Sequence, residues 1–258
     1  MKYEFVTSMH QEYFNHIGCI MIESWLKHWT RKDMTLTVYG EGFFHNFNDE
    51  RIIWKDWAKH CEKNHIIYTK KAAGITPGSA IRFAKKGFAF SDAMKNCTAD
   101  RLVWLDADLL FFKTIDYVRF DQLLDDKKLI AFFDQFYITY PNYTQEQYTD
   151  KENRKSYGAE SGFVILNPNH KNYQQYVMNY QNLFLEGSDK ITHWYDSEVV
   201  VLAVRDFLED VTDLSILRNT NKTQTPLNKC WLSEYFNHQK AKSKNKYSVQ
   251  EFRKLCGL

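Results

Sequence analysis

The strongest constraint on the fold is a short apolar run, residues 102–112, that carries two carboxylates near its middle. The run reads LVWLDADLLFF, and its charged members are Asp106 and Asp108. An apolar run this short is typical of a strand that is buried on both faces of a parallel sheet. Charged groups are costly inside such a strand. We therefore expect the strand to end at the aspartates, where the carboxyl end of a parallel sheet opens onto a ligand-binding crevice.

The chemistry of this aspartate pair favours a divalent cation. Carboxylate oxygens are hard ligands, and Mg2+ or Mn2+ bound by them commonly bridges to substrate phosphates. Asp106 and Asp108 are also the only two aspartates in the chain that are spaced one residue apart. The alternative is that Asp106 caps the next element and Asp108 is simply solvated, because Asp-x-Asp is a short and common pattern.

Composition narrows the class of protein without identifying a ligand. The 258 residues fit one large domain, and a hydrophobic content of 44% is sufficient for its core. The net charge of +2 gives no electrostatic reason to expect a nucleic-acid or membrane partner. The five cysteines form no Cys-x-x-Cys pair, which argues for a reducing compartment and against structural zinc. Because residues 1–5 show no signal-peptide core and no apolar run is long enough to be a transmembrane segment, we expect a cytoplasmic protein.

The order of periodic segments predicts an α/β fold. The expected strands cover residues 3–7, 34–39, 65–68, 129–133, 162–166 and 211–217, in addition to the aspartate-bearing strand. The expected helices cover residues 15–29, 49–61, 80–96 and 167–185, with a further helix that starts near residue 196. Strands that alternate with helices imply right-handed crossovers and a parallel sheet. The polar, aromatic stretch 134–157 is expected to form a long functional loop.

Several segments match a single pattern when they are taken in chain order. Residues 83–89 read FAKKGFA, residues 104–108 read WLDAD and residues 160–167 read ESGFVILN. Residues 195–198 read YDSE and residues 238–244 read HQKAKSK. Together these segments resemble the GT-A glycosyltransferases, most closely the glycogenin-like, retaining members. The resemblance implies a Rossmann-like, mostly parallel central sheet flanked by helices, with a long loop on the acceptor side.

The resemblance also implies a metal site. In the family, the two aspartates and a C-terminal histidine bind a divalent metal on the diphosphate of the donor, which here corresponds to Asp106, Asp108 and His238. The implied cofactor is Mn2+ or Mg2+, and a nitrogen ligand favours Mn2+ slightly. The residues implied to contact the nucleotide-sugar donor are Thr7, Lys86, Asp106, Ala107, Gly162 and Lys244.

Glycosyl transfer also requires a carboxylate near the anomeric carbon, as a base in an inverting reaction or as a nucleophile or electrostatic partner in a retaining one. The candidates are Asp196, Glu198 and Glu160, although Asp196 can equally be a helix N-cap. Three positions depart from the family pattern: Ala241 stands where the family has Gly, Glu160 replaces Asn, and Ser197 replaces Gln. The last two lie where the donor sugar reacts, so the identity of the donor and the stereochemical outcome stay open.

The resulting hypothesis is a metal-dependent glycosyltransferase that moves a sugar from a nucleotide-diphosphate sugar, expected to be UDP-linked, to a hydroxyl acceptor. The acceptor could be a glycan, a lipid-linked sugar, a protein or a modified nucleic-acid base. We expect a single domain over residues 1–258, with a nucleotide-binding half at 1–128 and an acceptor and metal-binding half at 129–258.

Two other classes of protein stay open. A nucleotidyltransferase can share the sheet and the acidic metal site, but it usually has a Gly-rich basic loop after the first strand, whereas residues 7–11 read TSMHQ. The second is a non-catalytic module that binds a nucleotide-sugar or a carbohydrate. The combination of Asp106, Asp108 and His238 argues against such a module without excluding it.

Overall fold

The computed structural model describes residues 1–72, 78–134, 159–186, 196–217, 226–239 and 247–258. Within these ranges the strands are β1 (Tyr3–His10), β2 (Met34–Glu41), β3 (Ile52–Asp56), β4 (Arg101–Leu105), β5 (Leu109–Phe111), β6 (Ile130–Asp134), β7 (Ala159–Leu166), β8 (Val211–Asp213) and β9 (Phe236–His238). The main α-helices are α1 (Cys19–His28), α2 (Trp57–Ala72), α3 (Gly78–Asn96), α4 (Tyr117–Asp121), α5 (Tyr173–Glu186), α6 (Asp196–Val204) and α7 (Val249–Leu255).

The fold is built on a seven-stranded sheet with the order β3-β2-β1-β4-β7-β6-β8. In this sheet β7 is antiparallel to both of its neighbours, and the other paired strands are parallel. β5 and β9 form a separate antiparallel pair beside it. The predicted α/β fold with a mostly parallel central sheet is therefore confirmed.

Both faces of the sheet are buried, as the apolar character of its strands predicts. Successive residues of β4 alternate between two cores: Val103 and Leu105 pack on the side of α1 and α4, while Leu102 and Trp104 pack on the side of α3 and α5. A fully buried side chain of this size contributes about 1.5–3 kcal/mol relative to an exposed one. The central strands therefore form a rigid platform that ends in the loops carrying the aspartates.

Two predicted elements are wrong, and both lie near the edge of the sheet. Residues 52–56 form β3 instead of part of the predicted helix 49–61, because Ile52 and its neighbours pair in parallel with β2. Residues 65–68 lie inside α2 instead of forming a strand. In that helix Trp57, Cys61 and Tyr68 are buried at helical spacing, so packing against the sheet decides the conformation.

Other predicted boundaries need adjustment. The aspartate-bearing strand ends at Leu105, as expected, and the chain resumes an extended course only in β5. The late strand predicted over 211–217 covers only Val211–Asp213 and is followed by a 3-10 turn. The predicted acceptor-side loop, residues 134–157, lies outside the described residues except for Asp134, which ends β6. In the part of the chain that the structure describes, no helix combines the length and apolarity that crossing a membrane requires.

Candidate functional site

The two aspartates of the central run lie in the turn that joins β4 to β5. The turn is closed by the Leu109 N–H, which donates to the Asp106 carbonyl oxygen at 3.0 Å. Asp106 is the first residue beyond β4, and its N–H donates to the Gly162 carbonyl oxygen of β7 at 2.9 Å. The side chain of Asp106 is 24% exposed and that of Asp108 is 7% exposed. The charges therefore lie at the carboxyl end of the strand, as the sequence predicts.

Pairing between β5 and β9 brings His238 to the aspartates from a distant part of the chain. His238 is opposite Leu109 in this ladder, and the Gln239 N–H donates to the Asp108 carbonyl oxygen at 3.0 Å. His238 Nε2 lies 3.0 Å from Asp108 Oδ1 and 3.5 Å from Asp106 Oδ2. One ligand atom from each of the three side chains lies within 4.8 Å of the other two. The three residues predicted to bind a metal thus form one cluster.

The residues present fit a divalent cation. Two carboxylate oxygens and one imidazole nitrogen are a donor set that suits Mn2+ and is compatible with Mg2+. Gly162 also lines the cluster, and a larger residue there would displace a neighbour, since an added Cβ would lie 2.6 Å from His238 Cε1 and 3.1 Å from Asp106 Oδ2. A glycine in β7 therefore leaves the space in which these side chains converge.

His238 carries the positive charge of the metal-free cluster on one side. Burial alone lowers its pKa, but Asp108, Glu160 and Asp106 outweigh burial and raise the pKa to about 9. The imidazole is therefore protonated at neutral pH when no metal is bound. Burial and a hydrogen bond to Asp108 raise the pKa of the Tyr13 hydroxyl well above its usual range, so this hydroxyl stays neutral.

Lys86 supplies the positive charge on the opposite side. Its Nζ lies 2.6 Å from Asp106 Oδ1 and 2.6 Å from Asp196 Oδ2, and it donates to the Ser161 carbonyl oxygen at 2.8 Å. Burial lowers the pKa of Lys86, but the two carboxylates outweigh it and leave the pKa above its ordinary value. The Trp104 Nε1–H donates to the same Asp106 oxygen at 3.0 Å. Asp106 thus bridges Lys86 on one side and His238 on the other.

Glu160 lies behind His238, on the side away from the aspartates. Its Oε1 is 3.0 Å from His238 Nδ1, and its Oε2 accepts a hydrogen bond from the Leu227 N–H at 3.1 Å. The side chain is fully buried. The antiparallel pairing of β7 with β4 explains the position, because Phe163 is opposite Leu105, the last residue of β4, so the first residues of β7 extend beyond the end of that strand.

All but one of the remaining predicted residues lie within the described ranges. Thr7 is buried in β1, and its Oγ1 finds no hydrogen-bond partner within the described ranges. Ala107 is buried in the turn between the aspartates, and Glu198 is buried in the first turn of α6. Asp196, not Glu198, is the carboxylate of that turn that pairs with Lys86. Lys244 lies outside the described residues.

Sequence reasoning missed three residues that support the cluster. Trp104 precedes Asp106 by two positions, so the alternation of a strand could have predicted their contact. Tyr13 and Asn228 gave no such signal. Asn228 makes two hydrogen bonds to the backbone of His238, at 2.8 Å to its N–H and 2.9 Å to its carbonyl oxygen, and only the folded chain brings them together.

Neither a family model nor a curated protein sequence matches this chain. Solved structures do. The galactosyltransferase LgtC in complex with donor and acceptor sugar analogues superposes with a TM-score of 0.60 at 10% identity, over 98% of this chain and 95% of that one. Mouse xyloside xylosyltransferase 1 superposes with a TM-score of 0.56 at 14% identity, over 84% of this chain and 87% of that one. The bifunctional glycosyltransferase WbbM gives 0.52 at 13% identity, over 84% of this chain and 39% of that one. These similarities and the sheet order show that the chain has the GT-A glycosyltransferase fold.

Proposed function

We propose that this chain is a metal-dependent glycosyltransferase that transfers a sugar from a nucleotide-diphosphate sugar to a hydroxyl acceptor. The observation that carries the proposal is the convergence of Asp106, Asp108 and His238 at the carboxyl end of β4. Open α/β sheets bind ligands at this end. The fold similarity to LgtC, a galactosyltransferase whose structure contains donor and acceptor sugar analogues, supports sugar transfer as the reaction.

The charges of the cluster suit the departure of a diphosphate. When bound, a divalent cation stabilises the negative charge that develops on the leaving group. Asp106, Asp108 and His238 are the residues that would hold it. Lys86 adds a second positive charge beside them, and it is the lysine that we propose to contact a donor phosphate. UDP is the nucleotide we propose, and the other proposed donor contacts are Thr7, Ala107, Gly162 and Lys244.

Asp196 is the carboxylate that we propose for the reacting carbon. Its side chain lies at the start of α6 and shares Lys86 with the proposed metal ligand Asp106. Glu160, the alternative from the sequence, already has both oxygens engaged, by His238 Nδ1 and by the Leu227 N–H. Glu198 remains a second candidate in the same turn. A retaining outcome is proposed with Asp196 as the nucleophile or electrostatic partner.

A donor-hydrolysis screen tests the proposal. The protein is incubated with UDP-, GDP- and CDP-linked sugars, each with Mn2+ and with EDTA, and the released nucleotide is identified. We expect a nucleoside diphosphate to appear only with metal, and Asp108→Ala to lower the rate by at least about 100-fold, the scale of losing one electrostatic stabiliser of a transition state. Asp206→Ala is the matched control, because this carboxylate is largely exposed and pairs only with Arg205 among the ion pairs described.

The other classes of protein predict different results. A nucleotidyltransferase would release no nucleoside diphosphate in this screen, but it would release pyrophosphate when a nucleoside triphosphate and a sugar 1-phosphate replace the nucleotide-sugar. Tight binding of a nucleotide-sugar with no turnover, with or without candidate acceptors, would identify a binding module. Metal-independent hydrolysis that survives Asp108→Ala would contradict the proposed role of the cluster.

A further inference from the structure

The two ring nitrogens of His238 face carboxylates on opposite sides. Nε2 faces Asp108 and Asp106, at 3.0 Å and 3.5 Å, whereas Nδ1 faces Glu160 at 3.0 Å. A neutral imidazole carries its proton on only one nitrogen, and only the other nitrogen can bind a metal. A group that accepts a hydrogen bond from Nδ1–H therefore keeps the proton on Nδ1 and leaves Nε2 free to bind a cation.

The carboxylate of Glu160 is fixed independently of His238. Its second oxygen accepts from the Leu227 N–H at 3.1 Å, and its side chain is fully buried. The next residue, Asn228, makes hydrogen bonds to both the N–H and the carbonyl oxygen of His238. One short turn therefore holds both the carboxylate and the backbone of the histidine, which leaves the ring few orientations.

We propose that Glu160 is a positioning residue that accepts a hydrogen bond from the Nδ1–H of His238 and thereby leaves Nε2 free to bind a divalent cation together with Asp106 and Asp108. A carboxylate behind a metal-binding histidine fixes the tautomer and the ring plane and increases the basicity of the ligand. The inference rests on the proposed metal site. It gives Glu160 a role in cation binding in place of the catalytic role considered from the sequence, and it explains a carboxylate where the GT-A resemblance has an amide.

A purely structural role of Glu160 predicts a different effect of an amide substitution on cation binding. If Glu160 only held the Leu227 turn, an isosteric amide could serve the same purpose, because its carbonyl oxygen can accept from the Leu227 N–H. The amide NH₂ would then face Nδ1 and donate to it. That arrangement requires Nδ1 to be the acceptor and moves the imidazole proton to Nε2, where it blocks the cation. Glu160→Gln therefore separates the two roles with little change in shape.

The test measures cation binding without any donor. Mn2+ is added stepwise to the purified full chain and to Glu160→Gln, and the free Mn2+ is measured by electron paramagnetic resonance. Thermal unfolding of both proteins is recorded in EDTA. We expect the Kd for Mn2+ to rise about 10- to 100-fold in Glu160→Gln, the range typical of changes to such supporting residues. The control is Glu41→Gln, since Glu41 pairs with Lys85 at 2.8 Å outside the cluster, and its Kd should be unchanged.

A second measurement keeps the inference testable should Glu160→Gln fold poorly. In the Mg2+-loaded wild-type protein labelled with 15N-histidine, the His238 Nδ1 proton should give a downfield resonance typical of a strong hydrogen bond to a carboxylate. Its absence would overturn the inference, as would a Kd for Glu160→Gln within twofold of wild type. If the wild-type protein binds no Mn2+, the proposed metal-dependent function fails instead, so the two failures are distinguishable.

Discussion

Gly162→Ala is expected to disrupt the metal site by a single methyl group. Gly162 lies in β7, and its φ angle is outside the left-handed region, where only Gly42 and Gly257 lie among the described glycines. Alanine therefore causes no backbone strain at this position. The added Cβ would lie 2.6 Å from His238 Cε1, 2.8 Å from His238 Nδ1 and 3.1 Å from Asp106 Oδ2. The effect of the variant is therefore a steric clash with two proposed metal ligands.

The expected magnitude follows from how firmly His238 is held. Relaxed carbon contacts lie at about 3.5–4.0 Å, so the ring has to move by roughly 1 Å. Glu160 holds its Nδ1 side and Asn228 holds its backbone, so the movement strains both contacts. We expect a loss of about 1–3 kcal/mol in the free energy of unfolding, as for other overpacked sites. The Kd for Mn2+ should rise by about tenfold or more, because Nε2 leaves its position beside the aspartates.

The assay combines urea unfolding in EDTA with Mn2+ titration. The free energy of unfolding is measured for Gly162→Ala, His238→Ala and the double variant. If the clash with the ring causes the loss, Gly162→Ala should cost much less in the His238→Ala background, with a coupling of about 1 kcal/mol or more. Additive costs in the double variant, or a Kd for Mn2+ equal to that of the wild type, would refute the steric reasoning.

Three further predictions concern the charges around the cluster. Lys86→Met should lower the free energy of unfolding in EDTA by about 3 kcal/mol, because it removes the cation that the nearly buried Asp196 shares with Asp106. Lys85→Met, which removes a more exposed lysine, should cost less than about 1 kcal/mol. Urea titrations measure both, and equal losses would contradict the ion-pair argument. The His238 pKa of about 9 exceeds the ordinary 6.5, so the stability that it confers in EDTA is complete below about pH 6.5 and lost as pH rises through 9. The difference in unfolding free energy between wild type and His238→Gln should therefore shrink by about 3 kcal/mol from pH 6 to pH 10, and a constant difference would argue against the raised pKa. Asp196→Asn should lower kcat for sugar transfer by about 100-fold or more, and Glu198→Gln should lower it by less. Steady-state kinetics with the donor found in the screen measure both variants, and a larger loss in Glu198→Gln would assign the catalytic role to Glu198 instead.

The aspartate turn could be predicted because it places charged residues within an otherwise apolar stretch of sequence. Apolar residues flank Asp106 and Asp108 closely, and the cost of burying charge leaves few positions for them other than the end of a strand. The predicted helix 49–61 failed for the opposite reason. Its residues can satisfy a helix or a strand locally, and the pairing of Ile52 with Leu36 of β2, which is a tertiary contact, decides between them.

The sequence indicated which residues belong to the site more readily than which of them contact one another. Glu160 and His238 were both selected from the sequence, but their mutual contact depends on two separate strand registers. One aligns β7 with β4 and the other aligns β9 with β5. A shift of one residue in either register would turn the side chain to the opposite face of its strand. No local pattern specifies such a register, so the role of Glu160 emerges only from the folded chain.

The position of Asp106 explains why several separate elements of the fold have to contribute residues to one site. One oxygen of Asp106 faces Lys86 and Trp104, on the side of the sheet covered by α3, and the other faces His238, on the side of β5 and β9. Residues from both faces of the sheet can meet only beyond the end of a strand, because within the sheet the backbone separates them. Without a metal, Lys86 and protonated His238 offset part of the negative charge of the four carboxylates from these two sides. Asp106, Asp108 and His238 would hold the proposed cation, and its positive charge would take the place of the Nε2 proton of His238 with the same three side chains facing it.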